Sequence, residues 1–116
     1  MSSNVRRANG YRRDKAAAWL RKQGRPCWIC QEFGRPGFID YSLPPGNPGS
    51  FEVDELVPVS KGGSPTDLRN LAAAHRQCNR WRSNRSIEEV RAIAKQYREK
   101  AALSGDVLGA EASDWL

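Results

Sequence analysis

Two pairs of metal-binding residue types constrain the fold of this chain more than any other feature. Cys27 and Cys30 form a C-x2-C pair, and His75 and Cys78 form an H-x2-C pair. Together they use every cysteine and the only histidine of the chain. Two such pairs, one on a knuckle and one at a helix start, are typical of a tetrahedral Cys3His zinc site. We therefore predict a structural zinc ion that ties the two segments together.

These residues allow three other interpretations. The cysteines could be unrelated residues that pack as small hydrophobic side chains. A thioredoxin-like redox site requires C-x-x-C within a βαβ pattern, which the sequence lacks. A zinc deaminase requires H-x-E before P-C-x-x-C, whereas His75 follows Cys30 and precedes Arg76-Gln77. Structural zinc is the interpretation that the spacing favours.

The size of the chain also favours a metal. Its 116 residues are enough for one domain, and an apolar content of 39% predicts a thin core. Small domains of this kind usually need a disulfide or a metal. The sequence shows neither an apolar run long enough to span a membrane nor a signal peptide. We expect a soluble cytoplasmic protein, in which reduced thiols bind metal rather than form disulfides.

Charge is unevenly distributed along the chain. Within the net charge of +6, two basic blocks, residues 1–26 at +7 and residues 59–85 at +5, flank an acidic block, residues 27–58, at −4, while residues 86–104 add +1 and residues 105–116 add −3. A basic surface attracts nucleic acid, and an acidic spot within it would repel phosphate unless a divalent cation bridged the two. The alternative is a solubilising surface with chance clustering.

Local patterns predict an α+β chain. We expect helices over residues 11–23, from His75 to Arg82, and over residues 87–103, the last opened by the capping box Ser86-x-x-Glu89. Residues 26–30 form a tight knuckle, residues 31–50 a loop and residues 51–57 a strand. The predicted organisation is a basic arm and helix over residues 1–25, a domain over residues 26–103 and an acidic tail over residues 104–116.

The predicted strand, FEVDELV, contains three carboxylates. Asp54 and Glu55 are adjacent, and adjacent strand residues point to opposite faces unless the strand bends or ends there. Carboxylate and amide oxygens suit a hard cation such as Mg²⁺ or Mn²⁺. Glu52 is interpreted as a solvated strand residue.

The segment from Phe51 to Arg85 carries a set of short motifs in a fixed order: Val53-Asp54, Val57-Pro58, Gly62-Gly63, Asn70-Leu71 and Cys78-Asn79, with Cys27-x2-Cys30 upstream. The segment resembles the HNH endonuclease family, and most of all the small HNH proteins of bacteriophages. The resemblance implies a small zinc-stapled ββα-metal (His-Me finger) core with flanking helices, which cuts DNA with one divalent cation.

The resemblance implies a role for each matching residue. Asp54 and Asn79 match ligands of the catalytic Mg²⁺ or Mn²⁺, and Asn70 matches the asparagine that holds the base and its loop. Glu55 stands where the family has its general-base histidine. Glutamate is the weaker proton acceptor near neutral pH, because its reference pKa is ~4.3 against ~6.5 for histidine. Glu55 could therefore be the base, a metal ligand or a residue without a catalytic role.

Six arginines are predicted to hold the DNA backbone: Arg12, Arg13, Arg76, Arg80, Arg82 and Arg85. The first hypothesis is a metal-dependent DNA endonuclease that makes nicks or double-strand breaks. The second is a catalytically weak, zinc-stabilised nucleic-acid-binding module, and the third is an RNA-binding zinc-knuckle protein. The likeness to phage proteins further implies a terminase or packaging partner and location in the bacterial host cytoplasm.

Overall fold

Four helices and a two-stranded sheet make up the fold. The computed structural model describes the backbone of residues 2–104 and the side chains of residues 10–104. The elements in chain order are α1 (Ser2–Gln23), α2 (Trp28–Glu32), β1 (Phe51–Glu55), β2 (Leu71–His75), α3 (Arg76–Arg82) and α4 (Ile87–Ser104). The predicted α+β class is confirmed, and the β1–β2–α3 unit fits a small HNH ββα-metal fold.

The sheet separates the two predicted sites. β1 and β2 pair antiparallel, with Phe51 opposite His75 and Asp54 opposite Ala72. Three residues along an antiparallel strand span about 10 Å. His75 therefore lies at one end of the sheet, and the acidic end of β1 lies at the other. Helix α3 runs from the first end to the second, as shown by the bonds of Arg76 to Glu52 and of Arg82 to Asp54.

Two groups of buried side chains hold the elements together. In the smaller group, Ala16 and Leu20 of α1 pack with Leu71, and Phe51 and Val53 cover them. Phe51 packs against both groups, and the larger group includes all three cysteines. Its members are Cys27, Ile29, Cys30, Phe33, Ile39, Ala73, Ala74, Cys78, Val90 and Ala94. The Cys/His cluster is therefore part of the main core.

The last helix follows its predicted pattern. The Ser86 hydroxyl accepts a hydrogen bond from the Glu89 amide at 3.1 Å, and the Glu89 carboxylate accepts one from the Ser86 amide at 3.1 Å. This reciprocal pair confirms the capping box. Val90, Ala94 and Ala101 are buried along one face of α4.

Some boundaries differ from those predicted. α1 begins at Ser2, so helix replaces most of the predicted arm. The predicted knuckle leads into the five-residue helix α2, and β1 ends at Glu55 rather than Val57. Except for Ser104, the predicted acidic tail lies outside the described residues. Within the described residues, no helix is both long and apolar enough to cross a membrane.

Candidate active site and zinc centre

The Cys/His cluster, which consists of Cys27, Cys30, His75 and Cys78, comes from three neighbouring elements. Cys27 immediately precedes α2, Cys30 lies within it, His75 ends β2 and Cys78 lies in the first turn of α3. All four residues are buried. Their potential ligand atoms all lie within 4.8 Å of one another. The structure therefore brings the two sequence pairs together in one cluster that could hold a metal ion.

The spacing of the ligand atoms suits zinc. The Sγ atoms of Cys30 and Cys78 are 3.7 Å apart, and Nδ1 of His75 lies 3.4 Å from Cys30 Sγ and 3.7 Å from Cys78 Sγ. Zn–S bonds of ~2.3 Å at tetrahedral angles separate two sulfur ligands by about 3.8 Å. The donor set of three thiols and one imidazole is also a common one for structural zinc.

A hydrogen bond outside the cluster fixes the orientation of His75. Its Nε2 lies 2.7 Å from the carbonyl oxygen of Phe38. A carbonyl can only accept, so Nε2 carries the proton, and the neutral ring then offers the lone pair of Nδ1 to a metal. This is how metal-binding histidines are usually held. The loop before Phe38 is also tightly packed, because a Cβ on Gly37 would lie 2.9 Å from the Cys27 carbonyl oxygen.

The side chains of the cluster shift the pKa values of Cys27, His75 and Cys78. Hydrogen bonds from Cys30 and Cys78 lower the pKa of the Cys27 thiol, whereas the neighbouring thiols and burial raise the pKa of Cys78. Burial disfavours the imidazolium, but hydrogen bonds to Cys27 and Cys30 outweigh it and raise the pKa of His75 to about 10. When no metal is bound, these shifts favour the thiolate form of Cys27 and the imidazolium form of His75. Zinc would displace these protons, because it binds thiolates and neutral imidazole.

The second site is a cleft of about 610 Å³ between α1, the end of β1 and α3. Its walls include Arg13 and Asp14 of α1, Asp54 and Glu55 of β1, and Asn79 and Arg82 of α3. The cleft therefore brings together Asp54, Glu55 and Asn79, the three residues for which sequence analysis predicted roles at the catalytic cation. Asp14 is a carboxylate of the cleft that sequence analysis did not identify.

Asp54 is buried and makes two strong hydrogen bonds. Its Oδ2 accepts one from the indole Nε1 of Trp28 and one from the guanidinium of Arg82, each at 2.7 Å. Within the described part of the chain, no hydrogen bond reaches Oδ1. Burial raises the pKa of Asp54, and the bonds from Arg82 and Trp28 oppose that rise. One carboxylate oxygen thus holds the carboxylate in place, and the other is left for a ligand in the cleft.

Glu55 is the last residue of β1 and is half-buried. Its backbone carbonyl accepts a hydrogen bond from Arg82 at 3.0 Å. Its carboxylate makes no hydrogen bond or ion pair with any side chain that the structure describes. The strand ends at this residue, which meets the condition under which Asp54 and Glu55 can share a site.

The side chain of Asn79 is oriented by the carboxylate of Glu52, which was expected to be solvated. Its Nδ2 donates to Oε1 of Glu52 at 3.0 Å, and Oε2 of Glu52 pairs with Arg76 at 3.3 Å. Because a carboxylate only accepts, the amide nitrogen must face Glu52, and Oδ1 is the atom left for a metal. The expectation of a solvated Glu52 was therefore wrong. Glu52 and Asp54 both bond to α3 because residues two apart in a strand share a face.

Asn70 joins two loops beside the cleft. Its Oδ1 accepts from the Val57 amide, and its Nδ2 donates to the carbonyls of Val57 and Ser64, each at 2.9 Å. The neighbouring Gly63 admits no side chain, because a Cβ there would lie 1.7 Å from the Val57 carbonyl oxygen. Asn70 therefore fixes the segment that follows Glu55, and its contacts are those of a positioning residue.

The predicted DNA-contacting arginines fall into an exposed group and a group that is bonded within the fold. Arg12, Arg13 and Arg80 are exposed, and Arg13 borders the cleft. Arg76 pairs with Glu52, and Arg85 bonds to the Trp81 carbonyl and lies over the Trp81 ring at 4.7 Å. Arg82 is only 2% exposed.

The burial of Arg82 argues against its predicted contact with the DNA backbone. Its guanidinium is already bonded to Asp54 and to the backbone at the end of β1. This burial could not be expected from the sequence, because arginine is mostly a surface residue. The role of Trp28 in bonding Asp54 was also missed, and this side chain packs against the main core as well.

Comparison with known proteins gives one clear match. The family model described as HNH endonuclease matches residues 27–85, just over half of the chain. No curated protein and no solved structure gives a significant match. The matched segment begins at Cys27 and ends at Arg85, so it includes the Cys/His cluster, both strands and α3. The chain belongs to the HNH endonuclease family.

Proposed function

We propose that the protein is a divalent-metal-dependent DNA endonuclease with a structural zinc ion in the Cys/His cluster. Membership of the HNH family supports a nuclease or nucleic-acid-binding function. The observation that carries the finer proposal is the cleft, which is bordered by Asp54, Glu55 and Asn79 together. An acidic cleft beside exposed arginines is suited to a phosphodiester that is bridged by a cation.

The proposed ligands of the catalytic Mg²⁺ or Mn²⁺ are Oδ1 of Asp54 and Oδ1 of Asn79. When bound, such an ion would stabilise negative charge on the phosphoryl group and on the departing 3′-oxygen. The Glu55 carboxylate would accept a proton from the attacking water. Asn70 would hold the segment after Glu55 in place, through its bonds to Val57.

DNA would approach the cleft across α1 and the exposed side of α3. Arg13 borders the cleft, Arg12 is the residue before Arg13 on α1, and Arg80 is the residue after Asn79 on α3. Exposed guanidinium groups at these positions would contact phosphates, which sets the position of the duplex without reading its sequence. We therefore expect affinity to fall steeply with salt.

A second candidate is a nucleic-acid-binding module that does not cut. The observation that favours it is the ion pair between Arg82 and Asp54, because a bound guanidinium neutralises a carboxylate that the cation would need. Glu55 in place of the family's histidine base also favours the binding module.

The likeness to bacteriophage HNH proteins supports a narrower proposal about the setting. We propose that the protein acts in the cytoplasm of a bacterial host, together with a phage terminase or another packaging protein. Co-purification of the tagged protein from infected cells tests this proposal. Recovery of a terminase subunit with the wild-type chain is expected, and its absence would leave the endonuclease without this partner.

The experiment that tests the function is the relaxation of supercoiled plasmid by zinc-loaded protein with Mg²⁺ or Mn²⁺. We expect nicking by the wild type and its loss in Asp54→Ala and Glu55→Ala. Glu88→Ala is the matched control, because Glu88 is an exposed carboxylate on α4. Nicking that survives both cleft substitutions would refute the assigned site. Duplex binding without nicking under either metal would favour the binding module.

A further inference from the structure

Arg82 is the largest fully buried side chain among the described residues. It ends α3 at the point where this helix reaches the end of β1. A buried guanidinium is costly unless each of its donors is satisfied and its charge is paired. The contacts of Arg82 therefore reveal what its burial accomplishes.

Three of these contacts fall on consecutive residues of the catalytic strand and its exit. The guanidinium donates to Oδ2 of Asp54 at 2.7 Å, to the Glu55 carbonyl at 3.0 Å and to the Leu56 carbonyl at 2.6 Å. Its Nε donates to the Arg85 carbonyl at 3.0 Å. The planar fork of arginine can serve several acceptors at once, whereas lysine is a single compact charge.

The two carbonyl contacts reveal the local backbone geometry. In a regular strand, successive carbonyls point to opposite sides, so one guanidinium cannot bond to both. The Glu55 and Leu56 carbonyls nevertheless converge on Arg82. The backbone torsions of Leu56 set the relative direction of these two carbonyls, so the chain turns at Leu56, directly after Glu55, and Arg82 holds that turn. Asp54 and Glu55, the last two residues before the turn, both border the cleft.

Trp28 completes the arrangement from the zinc side. Its ring lies 5.3 Å from the Arg82 guanidinium carbon, and its Nε1 donates to the same Asp54 oxygen. Trp28 stands between Cys27 and Cys30 in the chain, so the knuckle of the Cys/His cluster contacts both partners of the ion pair.

We propose that Arg82 is a positioning residue for phosphodiester hydrolysis. It fixes Oδ2 of Asp54 and the end of β1 at the turn that follows Glu55, so that Oδ1 of Asp54 and the Glu55 carboxylate face the same cleft. This proposal rests on the endonuclease function proposed above. It assigns no contact with DNA to Arg82.

The first test compares Arg82→Ala and Arg82→Lys with Arg91→Ala in zinc-loaded full-length protein. Arg91 is an exposed arginine on α4 and serves as the matched control. We expect Arg82→Ala to lower the single-turnover nicking rate at saturating protein by about 10- to 100-fold, because small misplacements of reacting groups have effects of that size. Duplex affinity should change less than twofold. Arg91→Ala should leave both quantities unchanged.

Chemical rescue separates positioning from general stability. Guanidinium chloride at millimolar concentration should restore part of the nicking rate of Arg82→Ala, and equimolar NaCl should not. Arg82→Lys keeps the charge without the fork, so its rate should also stay low, which keeps the test valid if the alanine variant fails to fold. Wild-type nicking rates in both Arg82 variants, or a loss that lies wholly in DNA affinity, would overturn the proposal.

A second readout does not depend on nicking. The indole ¹H–¹⁵N resonance of Trp28 reports its bond to Asp54. We expect this resonance to move in Arg82→Ala and Arg82→Lys, and to return toward its wild-type position when guanidinium is added to the alanine variant. An unmoved resonance would overturn the positioning role even if nicking fell. A moved resonance in a protein whose wild type does not nick would refute the endonuclease proposal alone.

Discussion

The contacts of Asn70 lead to a quantitative prediction for Asn70→Ala. The substitution removes three hydrogen bonds, two to Val57 and one to Ser64. A hydrogen bond contributes about 1 kcal/mol net, which sets the expected loss of unfolding free energy at about 3 kcal/mol. Val57 is 40% exposed, so water can reach its backbone groups after the substitution. The larger cost of leaving buried groups unpaired therefore does not apply.

Asn70→Asp provides a sharper comparison, because it is nearly isosteric. An aspartate could still accept from the Val57 amide, but it would place a carboxylate oxygen against the carbonyls of Val57 and Ser64. We expect Asn70→Asp to destabilise the protein at least as much as Asn70→Ala. Asn84→Ala is the control, since Asn84 is exposed and its side chain makes no hydrogen bond with the described residues. Its effect should stay within about 0.5 kcal/mol.

The assay for these variants is urea unfolding of zinc-loaded protein, followed by tryptophan fluorescence. Single-turnover nicking under conditions where each variant is folded should also fall, because Asn70 holds the segment that follows Glu55. An unfolding free energy for Asn70→Ala within about 0.5 kcal/mol of wild type would contradict a stabilising role for the three Asn70 hydrogen bonds. Wild-type stability of Asn70→Asp would contradict that role equally.

Three further predictions concern metal content, packing and pH. Purified wild type should contain about one zinc per chain, and Cys78→Ser less than about half an equivalent, as measured by mass spectrometry of the metal; equal contents would contradict the Cys/His cluster as the zinc site. Gly63→Ala, which places a Cβ 1.7 Å from the Val57 carbonyl oxygen, should cost about 3 kcal/mol or more, while Gly10→Ala in the open middle of α1 should be neutral or stabilising by up to about 1 kcal/mol. Hydrogen bonding at the helix cap lowers the pKa of Glu89, so the stabilisation by the Glu89 carboxylate is present above its unfolded pKa of about 4.3 and is lost as the pH falls below that value. The Tm difference between wild type and Glu89→Gln should therefore be present at pH 7 and vanish in acid. A Tm difference that persists in acid would contradict the cap.

Features that depend on short-range spacing were predictable from the sequence. The C-x2-C and H-x2-C pairs predicted a four-residue cluster, and the structure has it. The capping box predicted the start of α4 to the residue. Within the capping box and within each ligand pair, the residues lie within three positions of each other, where backbone geometry fixes their distances. The shared metal chemistry of the two pairs, rather than their spacing, predicted that they would meet.

Features that depend on tertiary contacts were not predictable. β2 reads Leu-Ala-Ala-Ala-His, and alanine favours helix over strand. The segment is a strand because it pairs with β1, and its small side chains allow the neighbouring helices to pack closely against the sheet. The burial of Arg82 and the bond between Glu52 and Asn79 likewise depend on how α3 packs against β1. No local pattern encodes that packing.

The proposed nicking reaction depends on Glu55 as the proton acceptor, and a pH–rate profile tests this role. Single-turnover nicking should be compared among wild type, Glu55→Gln and Glu55→His in zinc-loaded protein with Mg²⁺ or Mn²⁺. We predict that Glu55→Gln loses about 10²-fold or more, because it cannot accept a proton. Glu55→His should nick at least as fast as wild type and gain an inflection near pH ~6.5, the reference pKa of histidine. Nicking by Glu55→Gln at the wild-type rate across the pH range would contradict the assignment of Glu55 as the base.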